Sequence, residues 1–287
     1  MLVNPMGFIQ EARQRGVAIA SFNVHNLETI QAVAEGAAAE HSPVIIQTTP
    51  GTLKHAGIGY VAAIVREAAK EYDVPMALHL DHCTEYDTIL RCMDAGYTSV
   101  MIDTAHLPYE DNVAMVRRVV AEAHSRGVAV EGELGRIGGV EDDLVGEDVF
   151  TVPEEARDFV SRTGIDMLAI AIGTAHGEYK GEPKLDFERL SAIRAVVDLP
   201  LILHGASGVL DWQIRESVKR GICKINIATE LKIPMAQAIR DTFAANPGEN
   251  DPRRYMGNAK KAVTEVVRQK IRLCGASGMT DEGGNVR

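Results

Sequence analysis

Three histidines far apart in the chain, His82, His176 and His204, each stand where an apolar run gives way to a polar turn. The runs before them are Val74-Pro75-Met76-Ala77-Leu78, Met167 to Ile172, and Pro200 to Leu203. No local spacing links the three, and no sequence-local zinc motif is present. Brought to one rim by a fold, three imidazoles with an open fourth position make a catalytic metal site, not a structural one. Taken singly, a histidine is more often a satisfied core or surface residue. Three of them at strand ends, each beside a glycine, an acid or both, shift the balance toward ligation. Asp81 directly precedes His82, and a carboxylate beside a Lewis acid suits proton transfer to a developing alkoxide. Orienting His82 is an equal alternative for it. Asp103 and Glu133 carry the same ambiguity, and we read them as orienting ligands or holding an auxiliary cation.

A second chemistry is suggested downstream. Gly205-Ala206-Ser207-Gly208 and Asn226-Ile227-Ala228-Thr229 follow neighbouring apolar runs and precede helices. Glycine-rich turns let backbone N–H groups approach an anion, and a helix N-terminus adds its dipole. A tight strand-to-helix turn would explain the glycines, but not Ser207, Asn226 and Thr229 together.

The elements that must position these residues come in a regular rhythm. Eight short apolar runs, beginning near residues 17, 43, 74, 99, 128, 167, 200 and 223, alternate with helical stretches. Seven end in a His, Asp, Glu, Asn or Gly-rich turn. In an open sheet only strands beside the switch point carry such ends, whereas a (β/α)8 TIM barrel builds its site from all of them. The expectation is therefore one barrel domain over residues 1–287, a length that needs no division. Two segments break the rhythm. Residues 134–151 are polar, acidic and Gly-rich, and are read as a mobile loop. After a helix at 230–245, residues 253–274 are read as a C-terminal helical extension, and 275–287 as a frayed tail. The stretch Thr48-Thr49-Pro50-Gly51-Thr52 reads as a polar turn, and His79 and Cys83 as packing residues.

Composition excludes other classes. The net charge of -10 leaves no basic stripe for nucleic acid. The four cysteines show no C-x-x-C pairing, as expected for free thiols in a reducing compartment. The first sixteen residues have no apolar signal core, and no apolar run reaches the roughly 18 residues of a membrane helix, so a cytoplasmic protein is expected.

The strings His79-Leu80-Asp81-His82, Ala171 to Gly177, Leu203 to Gly208 and Asn226-Ile227-Ala228-Thr229-Glu230-Leu231 together resemble the class II, metal-dependent fructose/tagatose-bisphosphate aldolases. The resemblance runs from Asn23-Val24-His25 to the final helix. It implies one Zn2+ per subunit on His82, His176 and His204, with Asp81 exchanging a proton with the C4 oxygen. It implies a dihydroxyacetone-phosphate site at Gly177, Gly205, Ala206, Ser207, Asn226, Ile227, Ala228 and Thr229, with a monovalent cation (Na+ or K+) assisting. Glu141 matches the acid that moves the C3 proton, with Asp142 and Asp143 close by. Asn23, Thr48 and Lys260 are candidates for substrate or far-phosphate contacts. The strings around Lys54, Lys224 and Lys260 resemble tagatose-type members more than fructose-type ones, and Lys260 stands near where fructose-type members carry an Arg for the far phosphate. The expected reaction is reversible cleavage of D-tagatose 1,6-bisphosphate to dihydroxyacetone phosphate and glyceraldehyde 3-phosphate. Fructose-1,6-bisphosphate or dual activity is the alternative, and a non-catalytic phosphosugar-binding subunit or a phosphosugar epimerase is more remote. A homodimer or homotetramer is expected, with a companion non-catalytic subunit associated with tagatose-type members.

Overall fold

In chain order the strands are β1 (Ile19–Asn23), β2 (Val44–Thr48), β3 (Met76–Cys83), β4 (Ser99–Ile102), β5 (Ala129–Leu134), β6 (Gly138–Glu141), β7 (Leu144–Gly146), β8 (Met167–Ile170), β9 (Ala175–His176), β10 (Leu201–Leu203) and β11 (Ile222–Ile227). Eight of them run parallel and close into a barrel in the order β1-β11-β10-β8-β5-β4-β3-β2. The computed structural model describes the chain apart from residues 142–143, 147–148, 178, 180, 282 and 287 and the side chains of 140–141 and 144–146. The barrel strands are buried throughout, as strands covered on both faces must be, and their apolar residues are interrupted by buried polar ones such as Gln47, His79, Asp81, Glu131 and Lys224. The helices around them are α1 (Met6–Arg15), α2 (Leu27–Ala39), α3 (Pro50–Ala56), α4 (Ile58–Glu71), α5 (Tyr86–Asp94), α6 (Tyr109–Ser125), α7 (Pro153–Thr163), α8 (Phe187–Val196), α9 (Asp211–Lys219), α10 (Thr229–Ala245) and α11 (Pro252–Cys274). No described helix is long and apolar enough to cross a membrane. All four cysteines are buried and unpaired with one another.

Local signals account for the helix ends. The Asn26 side chain accepts from Thr29 N and caps α2. α11 starts on Asp251 with Pro252 in its first turn and stops at the left-handed Gly275. Its buried residues, Ala259, Val263, Val267, Ile271 and Cys274, recur at helical spacing and form one stripe. α2 meets it at Gly36, where an added Cβ would come within 2.6 Å of Val267 Cγ1. Each aliphatic side chain buried there contributes roughly 1.5–3 kcal/mol relative to exposure.

Three sequence expectations change. The turn expected at Thr48 to Thr52 is instead the last residue of β2, Thr48, followed by the start of α3, because Thr49 caps that helix and Pro50 suits a first helical turn. Within 134–151 lies a hairpin, β6 with β7, and β6 also pairs in parallel with β9. Glycines and acids hid its short strands. The tail after Gly275 is tied down: Gly278 N donates to Glu40 O (2.8 Å), Thr280 N donates to His41 O (2.9 Å), and Ala276 and Met279 are buried.

Candidate active site

β3 delivers two functional side chains from adjacent positions, which a regular strand would point to opposite faces. The register with β4 shifts between Leu80 and Cys83, and His82 adopts φ 46°, a left-handed conformation rare for a side-chain-bearing residue. This bulge turns both Asp81 and His82 toward the barrel mouth. Strain of that kind persists only where the surroundings over-determine it. Here the His82 Nδ1 to Asp103 Oδ2 hydrogen bond (2.8 Å) anchors the ring.

His176 comes from β9 and His204 from the end of β10. The three rings converge: the His82 centroid lies 4.8 Å from that of His176 and 4.6 Å from that of His204, edge-on in both cases. One nitrogen from each ring lies within 4.8 Å of the others, so the three fit a single metal ion. The neighbours select the nitrogens. Asp103 takes Nδ1 of His82, and Glu131 Oε1 takes Nε2 of His204 at 2.7 Å, so these rings offer Nε2 and Nδ1 respectively to a metal. Burial and the neighbouring His82 and His204 rings hold the His176 imidazole well below its usual range, so it is neutral, as a ligand must be. Burial and His82 also pull on His204, but Glu131 and Glu133 outweigh them and push it up to about 9 in the metal-free protein. The segment carrying His176 is tightly held. An added Cβ at Gly139 (φ 96°) would lie 2.2 Å from His176 O, and one at Gly205 (φ 62°) 2.6 Å from Ala175 O. Tyr179 Oη accepts from Ala175 N and donates to Gly205 O, both at 2.7 Å, stitching the two turns together.

Asp81 is buried and held by three amides. Asn23 Nδ2 and Gln47 Nε2 donate to Oδ2 at 2.9 Å each, and Asn226 Nδ2 donates to Oδ1 at 3.0 Å. Gln47 is itself fixed, donating to Asn23 Oδ1 (2.6 Å) and accepting from Ser21 Oγ. The result is a carboxylate of fixed orientation beside the histidine cluster.

A cleft opens above them, with Asn23, His82 and His176 in its lining. The lining is completed by Gly177, the Gly205-Ala206-Ser207 turn, Asn226, and the N-terminus of α10 with Ala228, Thr229 and Lys232. Ser207 Oγ accepts from Ala228 N (3.2 Å), joining the two turns. Ile227 is buried in the core beneath. Asp103 and Glu133 lie against the histidines, and His82, Asp103 and Glu133 also form a compact donor group. Burial and the nearby Asp103 raise the Glu133 carboxyl. Two candidates are not brought to the cleft. Thr48 is fully buried with its hydroxyl on Tyr97 (2.9 Å), and Lys260 pairs with Glu35 between α11 and α2. The Glu141 side chain lies outside the described residues, as do Asp142 and Asp143.

Sequence reading missed Gln47, Tyr179, Lys232 and a buried chain beneath the histidines. It also placed His79 wrongly among the packing residues: its Nδ1 bonds Ser99 Oγ (2.8 Å) and its Nε2 lies 3.7 Å from Glu131 Oε2. Burial, helped by the Lys224 charge, drives His79 down to about 3, against an ordinary value of 6.5. Between those values the unfolded chain holds a proton that the folded chain lacks, so stability falls as pH drops through that window. In His79→Gln the fall in melting temperature from about pH 6.5 toward about pH 4 should flatten. An unchanged slope would place the titrating group elsewhere.

Comparison with known proteins agrees with this arrangement. The profile of the class-II fructose-bisphosphate aldolases matches residues 3–279. The D-tagatose-1,6-bisphosphate aldolase subunit GatY of Klebsiella oxytoca is 49% identical over 280 residues, which is 96% of this chain and 99% of GatY. The YdjI aldolase from Escherichia coli K12 superposes with a TM-score of 0.88 at 32% identity, covering 98% of this chain and 100% of YdjI. A putative fructose-1,6-bisphosphate aldolase from Coccidioides immitis gives 0.89 at 31%, covering 96% and 97%. Because the profile and the identity with GatY both extend over nearly the whole chain, the protein belongs to the class-II fructose-bisphosphate aldolase family.

Proposed function

We propose that the protein is a zinc-dependent aldolase that cleaves D-tagatose 1,6-bisphosphate reversibly to dihydroxyacetone phosphate and glyceraldehyde 3-phosphate. The observation that carries this is the pairing of Asp81, clamped by three amides, with a three-histidine donor set at one barrel mouth. The donor set, His82 Nε2, His176 and His204 Nδ1, suits Zn2+, being three imidazoles of which two have their other nitrogen fixed by a carboxylate. Zinc bound there supplies Lewis-acid polarisation of the ketose carbonyl and stabilises the charge left when the C3–C4 bond breaks. Asp81 accepts the C4 hydroxyl proton in cleavage and returns it in condensation, acting as general base and then acid. Asn226 places Asp81 and, with its buried Oδ1 making no hydrogen bond among the described residues, has an acceptor to offer the substrate. The N-terminus of α10, with the Gly177 and Gly205 to Ser207 turns, receives the dihydroxyacetone phosphate group, and Lys232 adds a positive charge at the rim. A monovalent cation assists that phosphate. Glu141, from the hairpin, exchanges the C3 proton. No lysine Schiff base is required.

Tagatose is preferred to fructose because GatY, named for D-tagatose 1,6-bisphosphate, shares 49% of its residues over nearly both chains. The two sugars differ only at C4, the carbon Asp81 serves. We place the enzyme in the cytoplasm as a homodimer or homotetramer, working with a companion subunit, in keeping with the word subunit in the name of GatY. The test is kcat/KM on both bisphosphates with the same preparation. The reading expects tagatose to exceed fructose by about tenfold or more, roughly 1.4 kcal/mol of transition-state discrimination. Equal or reversed values would make this a dual or fructose-type enzyme.

A further inference from the structure

Below the histidines, β11 carries a lysine into the barrel interior. Lys224 is wholly buried, and its one hydrogen-bond partner among the described residues is Glu131 Oε2, at 2.9 Å. β11 and β5 are separated in the barrel wall by β10 and β8, so the two side chains meet only across its interior. A buried ion pair of this kind is weak as a stabilising device, because desolvating both charges offsets most of their attraction. Its position suggests another use. Glu131 is bidentate: Oε2 is held by Lys224, while Oε1 lies 2.7 Å from Nε2 of His204. On its other side His204 Nδ1 lies 3.4 Å from Glu133 Oε2. In the neutral form that a metal requires, the His204 ring has two places for its single proton. On Nε2 it donates to Glu131 and leaves the Nδ1 lone pair for a metal. On Nδ1 it faces Glu133 Oε2, and that lone pair is lost.

We propose that Lys224 is a positioning residue for metal binding: by pinning Glu131 Oε2 it keeps Oε1 on His204 Nε2 and so presents the Nδ1 lone pair of His204 to the metal. This rests on the assignment of His82, His176 and His204 as the metal ligands. Lys224 does not touch substrate or metal. It acts through Glu131, whose Oε2 has Lys224 as its hydrogen-bond partner among the described residues.

The test measures zinc affinity of the full-length protein by chelator competition, and the visible spectrum of its cobalt(II) form, in wild type, Lys224→Met and Lys224→Met/Glu131→Gln. Removing Lys224 alone leaves a buried carboxylate without its lysine and lowers the melting temperature, whereas the double variant removes both charges and recovers stability. Positioning by Lys224 predicts zinc binding about 10- to 100-fold weaker in both variants, with a changed cobalt spectrum in both. If Lys224→Met does not fold, the double variant alone carries the test. Wild-type zinc affinity and cobalt spectrum in the stable double variant would overturn the proposal and leave Lys224 a structural residue. The ligand assignment fails separately, if wild type binds no zinc or if His176→Ala binds it as tightly as wild type.

Discussion

Asp81→Ala is expected to keep its metal and lose turnover, with kcat down by about 10²–10⁴, the range for removing a positioned proton-transfer group. The physical basis is the separation of roles at the β3 bulge. His82 is anchored by Asp103 and lies with the other imidazoles, while Asp81 is anchored by Asn23, Gln47 and Asn226. The two anchoring sets share no residue, so truncating Asp81 leaves the histidine donors in place. It also leaves three amides facing a space that water fills, so the local structure persists. Asp81→Asn is the sharper probe. Its amide nitrogen would confront at least one N–H donor that now points at a carboxylate oxygen, and the variant should lose both proton transfer and geometry. Metal content by elemental analysis beside steady-state cleavage checks this. An Asp81→Ala protein that loses its metal would make Asp81 a partner of the ligands and leave the base unassigned.

The second large effect is at His176. Replacing it with alanine should abolish metal binding and reduce cleavage by at least about 10²–10³, the cost of losing a preorganised group that stabilises developing charge. Of the three proposed ligands, His176 is the most open to this test. Its segment is braced by β6, by the Gly205 turn and by Tyr179, so the backbone holds its place when the ring is gone. Proton competition adds a further signature. His204 in the metal-free protein is raised to about 9 by Glu131 and Glu133 against burial, so metal uptake displaces a proton from it. Apparent metal affinity should therefore rise with pH up to about 9 and fall below it.

The barrel was legible because eight short apolar runs alternated with helical stretches and seven of them ended in polar turns. His82, His176 and His204 were legible for the same reason: His204 follows its run directly, and His82 and His176 stand four residues past the ends of theirs. What escaped the sequence depends on contacts across the barrel. Lys224 sits inside the run from Ile222 to Ile227, and Glu131 two places before Glu133, yet nothing along the chain pairs residues 93 positions apart. A charge within an apolar run was the available signal for Lys224. Gln47 at the end of Val44-Ile45-Ile46-Gln47 was visible as a polar strand end, but its partner Asp81 lies on another strand. The hairpin within 134–151 was hidden because its pairing with Ala175 and His176 uses backbone alone, which a Gly-rich composition neither favours nor forbids.

The central claim is that aldol cleavage here depends on a metal held by three histidines. The most direct measurement is release of triose phosphate from D-tagatose 1,6-bisphosphate by the purified protein, before chelation, after chelation and after return of zinc. The account predicts cleavage that disappears with the metal and returns with it, in proportion to zinc bound. Undiminished cleavage by protein shown to be free of metal would contradict it.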